Sequence, residues 1–256
     1  MHDISSLVAV PNWCTIVVPC YNEGNRLECS EFLYFLSTHR GPIRFLFVND
    51  GSLDETLSLL QTMRNVQPER ISILDLPSNQ GKAEAVRAGM LRGQIGSSVV
   101  GFWDADLATP LDSIQKLLVH FERDPAIEMV FGSRVRLLGR DINRRPLRHY
   151  LGRLFATAVS YSLQLPVYDT QCGAKLFRVT PELAEVLAAP FLSRWIFDVE
   201  IIARFLAAHP DPVYPFRAIY ESPLDCWRDV PGSKVSPFDF LKSSVELLQI
   251  RRRYHR

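Results

Sequence analysis

The feature that most constrains this chain is an alternation of strand-like and helix-like segments through its first 134 residues. Short apolar runs rich in β-branched residues are separated by segments with apolar residues at helical spacing. The predicted strands span 14–20, 43–50, 70–76, 97–106 and 127–134. The predicted helices span 31–39, 54–66, 81–93 and 110–122. Such alternation predicts an α/β domain with a mostly parallel, doubly wound central sheet flanked by helices.

Two of these predicted helices carry start signals. Ser52 or Asp54 is a candidate cap for helix 54–66, because a short oxygen-bearing side chain accepts a bond from the first free N–H groups. Pro110 is predicted at the first position of helix 110–122, where its missing N–H costs nothing.

Polar clusters follow the predicted strands at the points where the strands end. They are Tyr21-Asn22-Glu23, Asn49-Asp50-Gly51-Ser52, Asp104-Ala105-Asp106 and Ser133-Arg134. Parallel strands end at the same edge of a sheet, and ligands bind doubly wound sheets beyond that edge. The clusters therefore predict one binding site at the carboxyl edge.

The character of the sequence changes after residue 134. Strands are predicted at 174–179 and 213–221, and helices at 181–189, 197–209 and 237–256, the last with Ser236 as cap. An apolar stripe at helical spacing consists of Leu147, Tyr150, Leu151, Leu154, Phe155 and Ala158. A basic ridge beside it contains Arg144, Arg145, Arg148, His149 and Arg153. The stripe packs on the sheet or faces a membrane interface, and the sequence leaves both interpretations open.

The C-terminal helix is predicted to be amphipathic. Its predicted apolar face consists of Phe238, Leu241, Val245 and Leu248, and its end is basic, with Arg251, Arg252, Arg253 and Arg256. These arginines complement the helix dipole or bind anionic lipid.

Charge is distributed unevenly although the whole chain has a net charge of only +1. Residues 1–133 contain ten basic and sixteen acidic residues, whereas residues 134–256 contain nineteen basic and twelve acidic residues. The small total argues against a nucleic-acid partner. The five cysteines lack zinc spacing and indicate free thiols in a reducing cytoplasm. Neither a signal peptide nor a transmembrane helix is predicted.

Asp104 and Asp106 form the most informative motif. Two carboxylates two residues apart at a strand end are suited to holding a hard divalent cation together with a substrate diphosphate. Asp50 either accepts hydrogen bonds from a base or ribose or belongs to a helix-capping turn. Gly81 and Lys82 begin a predicted helix, where they favour phosphate binding or simple capping.

Taken in order, these segments resemble the catalytic domain of glycosyltransferase family 2, which has the GT-A (Rossmann-like) fold. The matching segments are VVPCYNEGNRL, FVNDGSLDET, NQGKAEAVRAGM, FWDADLATP and FGSR. Further segments, DTQCGAKLFR, RWIFDVE and PGSKVSPFDFL, resemble the dolichyl-phosphate β-glucosyltransferase branch, with dolichyl-phosphate mannose synthases as close relatives. The resemblance covers roughly residues 14–254 and implies a nucleotide-sugar donor and a lipid phosphate acceptor.

The resemblance also implies residue roles. The nucleotide sugar would contact Pro19, Tyr21, Glu23, Asp50, Lys82 and Asp104. Asp106, with Asp104, would hold Mg²⁺ or Mn²⁺. Arg134 would face the acceptor phosphate or the donor diphosphate, and the basic ridge, with Arg145 and Arg148, is itself suited to the acceptor phosphate. Asp104, Asp106, Arg134 and Asp198 would be the catalytic residues.

The sequence departs from the family pattern at two places. Asn49 replaces the first of two acids that commonly precede Gly-Ser. A clear acidic pair to deprotonate a sugar hydroxyl is also missing, and Asp198 and Glu200 are the nearest candidates. A lipid monophosphate needs no such base, because its second pKa is about 6 and it is already anionic near neutral pH.

These observations predict an inverting, metal-dependent enzyme that transfers glucose from UDP-glucose to a polyprenyl phosphate on the cytoplasmic face of a membrane. The alternatives are another donor such as GDP-mannose, a saccharide hydroxyl acceptor, or a non-catalytic nucleotide-sugar-binding protein. The predicted organisation is a nucleotide-sugar-binding half (1–134), an acceptor-binding half (135–235) and a C-terminal amphipathic basic helix (236–256) that associates with the membrane.

Overall fold

A central β-sheet with helices on both faces forms the body of the protein in a computed structural model. The structure describes residues 13–143, 146–230 and 237–254, and it leaves the side chains of 146–149, 151 and 237–241 undescribed. The strands are β1 (Trp13–Cys20), β2 (Ile43–Asp50), β3 (Ile71–Leu76), β4 (Ser97–Trp103), β5 (Met129–Ser133), β6 (Asp141–Asn143), β7 (Ala174–Arg178), β8 (Ile219–Pro223) and β9 (Cys226–Arg228).

Helices follow most of the strands. They are α1 (Cys29–Thr38), α2 (Thr56–Val66), α3 (Lys82–Gly93), α4 (Ser113–Arg123), α5 (Pro146–Leu163), α6 (Pro181–Ala188), α7 (Phe197–Ala208), α8 (Tyr214–Ala218) and α9 (Pro237–Tyr254). The main sheet has the order β3-β2-β1-β4-β7-β5-β8, and β6 pairs with β9 in a small second sheet. The prediction of a mostly parallel GT-A-like sheet with a C-terminal helix is confirmed.

Strand β7 is the exception to the parallel arrangement, because it runs antiparallel between β4 and β5. In this register Trp103, the last residue of β4, lies opposite Ala174, the first residue of β7. The segment that leads into β7 therefore passes over the edge where the parallel strands end. This reversal brings residues from the second half of the chain to the predicted binding edge.

The sheet is buried on both faces, which explains the continuous apolar runs of its strands. Ile16, Val17 and Val18 are all fully buried, although successive side chains point to opposite faces. One layer contains Phe32 and Trp103 beneath α1, α2 and α4. The opposite layer packs the sheet against α3, α5, α6, α7 and α9.

Helix starts differ from the sequence prediction at Pro110. Helix α4 begins at Ser113, so the prediction that Pro110 is the first helical residue is wrong. The Pro110 carbonyl instead accepts the Ser113 N–H in a turn that precedes the helix. At α2, the N-cap residue is Glu55 and no side chain caps the helix, so the prediction of Ser52 or Asp54 as the cap is wrong. The Asp54 carboxylate accepts the N–H of Thr56 in the turn before the helix, and Ser52 accepts the Asn22 N–H.

Segment 213–221 was predicted as one strand, and this prediction is wrong in its first half. Its beginning forms the short helix α8, and only the remainder belongs to β8. The reason is tertiary: Tyr214 stacks on His209 with ring centroids 3.8 Å apart and donates a hydrogen bond to Glu128. The three-residue strands β6 and β9 were not predicted.

Helix α5 buries a different face from the predicted stripe. Phe155, Val159 and Leu163 are buried, whereas Tyr150 and Leu154 are 71% and 65% exposed. Ala158 is exposed as well. Leu147 and Leu151 belong to the side chains that the structure does not describe. Of the two interpretations left open for the stripe, packing on the sheet is therefore wrong for Tyr150, Leu154 and Ala158.

Helix α9 is shifted in the same way. Leu247 and Ile250 are buried against α5 and α7, whereas Val245 and Leu248 are 52% and 54% exposed. The predicted face is thus not the packed face, and its members Phe238 and Leu241 lie among the undescribed side chains. Ser236, predicted as the cap, lies outside the described residues. Within the described residues, no helix is both long and apolar enough to cross a bilayer.

Candidate active site

Lys82 and Asp104 form the centre of the carboxyl edge. Lys82 is the first residue of α3, and Asp104 follows directly after β4. The Lys82 Nζ donates to Asp104 Oδ1 at 2.5 Å. Burial acts to lower the pKa of Lys82, but the carboxylates of Asp104 and Asp198 raise it above its ordinary value. Lys82 therefore keeps its positive charge at the carboxyl edge, where the motifs predict ligand binding.

Asp106 lies in the turn after β4 and faces the same region. Burial and the neighbouring charge of Asp104 raise its pKa, while the Ala108 N–H, which it accepts at 3.1 Å, acts in the opposite direction. Two carboxylates that repel each other in this way are a fitting donor pair for a hard cation. Among the described residues, no group of three or more His, Cys, Asp or Glu side chains could hold a metal. Substrate phosphate oxygens and water would have to complete the coordination.

Asp50 holds the loop that begins α3. Its carboxylate accepts the N–H groups of Gln80 at 2.7 Å and Gly81 at 2.9 Å, and the Asn79 side chain at 3.2 Å. Gly81 has a φ of +91°, which side chains rarely tolerate. Asp50 thus fixes the conformation of the loop that precedes Lys82. Its predicted contact with a base or ribose stays a prediction.

Asn49 has its own partner at this edge. Its amide donates to the Asp75 carboxylate at 2.7 Å, and its Oδ1 accepts the Ser52 N–H. An aspartate at position 49 would face Asp75 as a like charge. The Asp75 carboxylate on β3 therefore favours asparagine at position 49, where the sequence departs from the family pattern.

Glu23 is the member of the first cluster with an unused acceptor. Its Oε1 accepts Arg26 at 2.6 Å, while its Oε2 is buried without a hydrogen-bond partner. The positive charge of Arg26 also acts on Asp106, so this cluster lies near the carboxylate pair. Pro19 and Tyr21 precede Glu23 at the end of β1, as predicted.

Arg134 is held by a carboxylate that the sequence analysis did not single out. Its Nε and Nη2 donate to Asp169 at 2.6 and 2.7 Å, forming a two-pronged ion pair. Asp169 outweighs the effect of burial and raises the pKa of Arg134. Glu221 supports the pair by accepting the N–H groups of Tyr168 and Asp169. The Asp104 charge also acts on Arg134, so the arginine belongs to the same site.

The other predicted acceptor residues are not placed by the structure. Arg145 lies outside the described residues, and the Arg148 side chain is undescribed. Arg153, from the predicted basic ridge, instead donates to the Tyr168 carbonyl and lies over the Tyr168 ring. It therefore braces the segment that carries Asp169.

Asp198 lies in the first turn of α7 and is paired with a buried lysine. Lys175 Nζ lies 2.8 Å from Asp198 Oδ1, and Gln171 approaches Oδ2 at 3.4 Å. Burial raises the pKa of Asp198, opposed by Lys175 and Lys82. The candidate base is thus part of a charge cluster that reaches Lys82.

Glu200, the second candidate base, has a structural role. It is fully buried and accepts the Leu192 and Ser193 N–H groups as well as the Arg204 guanidinium. Tyr254 also donates to it at 3.1 Å. Because its oxygens bind the chain itself, Glu200 is not available as a base.

Glu246 of α9 joins this network from the other side. Ser193 donates to its Oε2 at 2.5 Å and accepts the N–H groups of Trp195 and Ile196. Helix α9 is thereby attached to the segment just before Asp198. This attachment could not be predicted from the sequence, because it joins residues 53 positions apart.

Four supporting residues were also missed: Asp169, Gln171, Lys175 and Glu221. Lys175 carried the clearest available signal, because it interrupts the apolar strand AKLFR in a sheet whose strands are buried on both faces. A charge at such a position requires a buried partner.

The sequence around this site matches that of a known protein family. The model of the family "Glycosyl transferase family 2" matches residues 15–182. The chain belongs to glycosyl transferase family 2. The matched range includes Asp50, Lys82, Asp104, Asp106 and Arg134, and the chain is therefore a glycosyltransferase.

Several relatives of this chain carry the name dolichyl-phosphate beta-glucosyltransferase. A dolichyl-phosphate beta-glucosyltransferase of Drosophila melanogaster is 33% identical, over 94% of this chain and 74% of its own length. That of Saccharomyces cerevisiae is 31% identical, over 99% of this chain and 80% of its own length. One from Trichomonas vaginalis is 31% identical, over 93% of this chain and 70% of its own length.

Solved structures share the family fold. Glucosyl-3-phosphoglycerate synthase from Mycobacterium tuberculosis with phosphoglyceric acid has a TM-score of 0.66 and 17% identity, covering 94% of this chain and 80% of that chain. Its complex with Mn²⁺, UDP-glucose and phosphoglyceric acid has a TM-score of 0.65 and 16% identity, with the same coverage. At this identity the likeness shows the fold alone.

Proposed function

We propose that the protein transfers glucose from UDP-glucose to a polyprenyl phosphate of the dolichyl type, with inversion at the sugar carbon. The names of the relatives support the sugar and the acceptor. The observation that carries the proposal is the Arg134–Asp169 pair beside Asp104. It supplies a fixed cation for a second phosphate-bearing substrate.

The donor side is suited to a nucleoside diphosphate. Lys82 at the start of α3 would bind the diphosphate, aided by the free N–H groups of the helix terminus. The unused Glu23 Oε2 would accept an N–H of the base. Asp104 and Asp106 would hold Mg²⁺ or Mn²⁺, which would neutralise charge on the departing diphosphate.

The transfer itself requires positioning more than proton movement. An oxygen of the acceptor phosphate attacks the anomeric carbon and forms the new bond. The bond from that carbon to the diphosphate breaks, and UDP leaves with the electron pair. No proton must be removed, because a phosphate monoester with a second pKa of about 6 is mostly dianionic at neutral pH. Arg134, fixed by Asp169, holds the attacking group, and Lys82 stabilises the leaving group.

The acceptor also places the enzyme at a membrane surface. A polyprenyl tail lies in the bilayer, so the protein must approach its headgroup region. We infer peripheral association on the cytoplasmic face, where thiols stay reduced. All five cysteines are unpaired, in agreement with that compartment.

A saccharide hydroxyl acceptor is the alternative that one observation favours. Burial raises the pKa of Asp198, which is a property of general bases. Its pairing with Lys175 favours a structural charge instead. GDP-mannose as the donor and a non-catalytic, nucleotide-sugar-binding protein are the remaining alternatives.

A transfer assay with labelled sugar tests the proposal. The purified chain is supplied with dispersed dolichyl phosphate, Mn²⁺ or Mg²⁺, and either UDP-glucose or GDP-mannose. Label entering the organic phase from UDP-glucose alone is the expected result. Label from GDP-mannose alone would overturn the donor assignment. No lipid-linked label with either donor would overturn the proposed function, and binding of the donor without turnover would favour the non-catalytic alternative.

A further inference from the structure

Helices α5 and α9 lie side by side and leave apolar side chains exposed on both. Their contact includes Arg251, whose guanidinium lies 5.2 Å from the centre of the Tyr161 ring. We define the outer face as the exposed residues Tyr150, Leu154 and Tyr161 of α5 together with Lys242, Val245, Leu248, Arg252 and Arg253 of α9. We propose that this outer face binds the surface of an anionic lipid bilayer.

The apolar part of the outer face is ordered rather than scattered. Tyr150, Leu154 and Tyr161 lie four and seven residues apart, a spacing that places them on one side of α5. They are 71%, 65% and 68% exposed. Val245 and Leu248 occupy one side of α9 in the same way and are about half exposed. Leucine with tyrosine is the composition that favours the boundary between headgroups and acyl chains.

Every exposed charged side chain that the structure describes on α5 and α9 is basic. Helix α5 contains no Asp or Glu. In residues 242–254 of α9 the single carboxylate is Glu246, which is buried and bonded to Ser193. Lys242, Arg252 and Arg253 are exposed. Such a face is complementary to anionic headgroups and would gain about fivefold in binding for each basic residue near the surface.

The outer face also adjoins the proposed acceptor site. Arg153, on the same helix as Leu154, donates to the Tyr168 carbonyl at 2.9 Å. The next residue, Asp169, holds Arg134. The helix that carries part of the outer face is therefore bonded to the segment that holds the proposed acceptor residue. The biological purpose of the docking rests on the proposed function, whereas the docking itself does not.

Vesicle binding tests the inference without any substrate. The full chain is mixed with vesicles of phosphatidylcholine alone or with 30% phosphatidylserine, and bound protein is measured by flotation. We expect binding at least about tenfold stronger to the anionic vesicles. Equal binding to both compositions, or none to either, would overturn the proposal.

Two double variants and their matched controls locate the binding surface. Arg252→Glu/Arg253→Glu should reduce binding at least about tenfold, and Leu154→Ser/Leu248→Ser should do the same through lost apolar contact. The charge control is Arg40→Glu/Arg64→Glu, which changes two exposed arginines elsewhere. The apolar control is Leu53→Ser/Ile95→Ser, at residues 90% and 64% exposed.

The controls should bind as the unaltered chain does. If they lose binding as strongly as the outer-face variants, the attraction is unspecific and the inference fails. If the unaltered chain is a dimer in sedimentation and Leu154→Ser/Leu248→Ser is a monomer that still binds vesicles, the outer face joins two copies instead.

A transfer assay with a short-chain, detergent-dispersed polyprenyl phosphate separates this inference from the proposed function. The outer-face variants should transfer as fast as the unaltered chain there, and more slowly only with acceptor embedded in vesicles. If no form of the protein transfers glucose but the vesicle pattern holds, the proposed function fails while the docking surface stands.

Discussion

The ammonium group of Lys175 lies 2.8 Å from Asp198 Oδ1, and only 1% of the lysine side chain is exposed. Lys175 belongs to β7 and Asp198 to the first turn of α7, so their pairing joins the middle of the sheet to the edge of the site. A buried charge without its partner is costly, and this dependence leads to the first prediction.

Lys175→Met should lower the free energy of unfolding by about 3–5 kcal/mol, because Asp198 would remain as an unpaired buried charge. Urea unfolding followed by circular dichroism measures the loss. The double variant Lys175→Met/Asp198→Asn removes both charges and should recover most of the stability. A double variant no more stable than Lys175→Met would show that the pair does not act as a unit.

Asp198→Asn distinguishes a phosphate acceptor from a hydroxyl acceptor. With a phosphate acceptor we expect kcat to fall less than about tenfold, because no proton is removed, whereas loss of a general base costs about 100- to 10,000-fold. Burial raises the pKa of Asp198, so an enzyme that uses it as a base would lose activity as the pH falls through that raised value. An acid limb that disappears in Asp198→Asn would contradict the phosphate acceptor.

Asp106→Asn should abolish most of the transfer, by about 100-fold or more, if the carboxylate pair holds the catalytic cation. Calorimetric titration with UDP should also lose its dependence on Mn²⁺. Asp112→Asn is the matched control, since its carboxylate is 75% exposed and lies just before α4. Unchanged turnover in Asp106→Asn would refute the role of this pair.

Gly173→Ala should displace the Asp104 side chain. An added Cβ at Gly173 would overlap the Asp104 carboxylate, whereas at Gly41 it would meet no atom within 4 Å. We expect Gly173→Ala to lose transfer by at least about tenfold at a stability cost of about 1–3 kcal/mol. Gly41→Ala should behave as the unaltered chain in both activity and thermal unfolding. Equal activity of the two variants would mean that Asp104 tolerates displacement.

Asp169→Asn should weaken the binding of the acceptor more than the binding of the donor. Losing a charge-assisted pair of about 1.5–3 kcal/mol would free Arg134 and raise the KM for polyprenyl phosphate by about 10- to 100-fold. The KM for UDP-glucose should stay within about twofold. Asp141→Asn breaks an exposed pair with Arg228 and serves as control. A change in the donor KM alone would place Arg134 on the diphosphate instead.

The sequence was sufficient for the elements that repeat a simple pattern. Strand β2 was predicted at its observed bounds, and α3, α6 and α7 within a residue or two, because their apolar spacing and turn signals agree. The prediction of one strand at 213–221 failed because the ring contact between Tyr214 and His209 overrides a strand-like pattern. The three-residue strands β6 and β9 are too short to produce any periodicity.

The packed faces of α5 and α9 could not be identified from the sequence, for a different reason. Each sequence contains two apolar stripes, and spacing alone does not say which one is packed against the protein. Leu247 and Ile250 are buried, while Val245 and Leu248, three residues apart like the buried pair, are exposed. The choice depends on neighbouring helices that are distant in sequence.

The site was predicted where chemistry follows strand ends and was missed where a partner lies far along the chain. Asp104, Asp106 and Lys82 could be placed together from topology alone. Asp169 could not be recognised as the partner of Arg134, because the two are 35 residues apart on opposite sides of α5 in the sequence.

The attachment of α9 through Glu246 and Tyr254 means that the chain's last described helix acts as a distant anchor for the site. Ser193, which donates to Glu246, and Glu200, which accepts from Tyr254, flank the turn that presents Asp198. A protein shortened before residue 246 would therefore lose the bonds that hold this turn while keeping every residue that we assign to a substrate. We therefore expect the activity of this enzyme to depend on the presence of α9 as well as on its motifs.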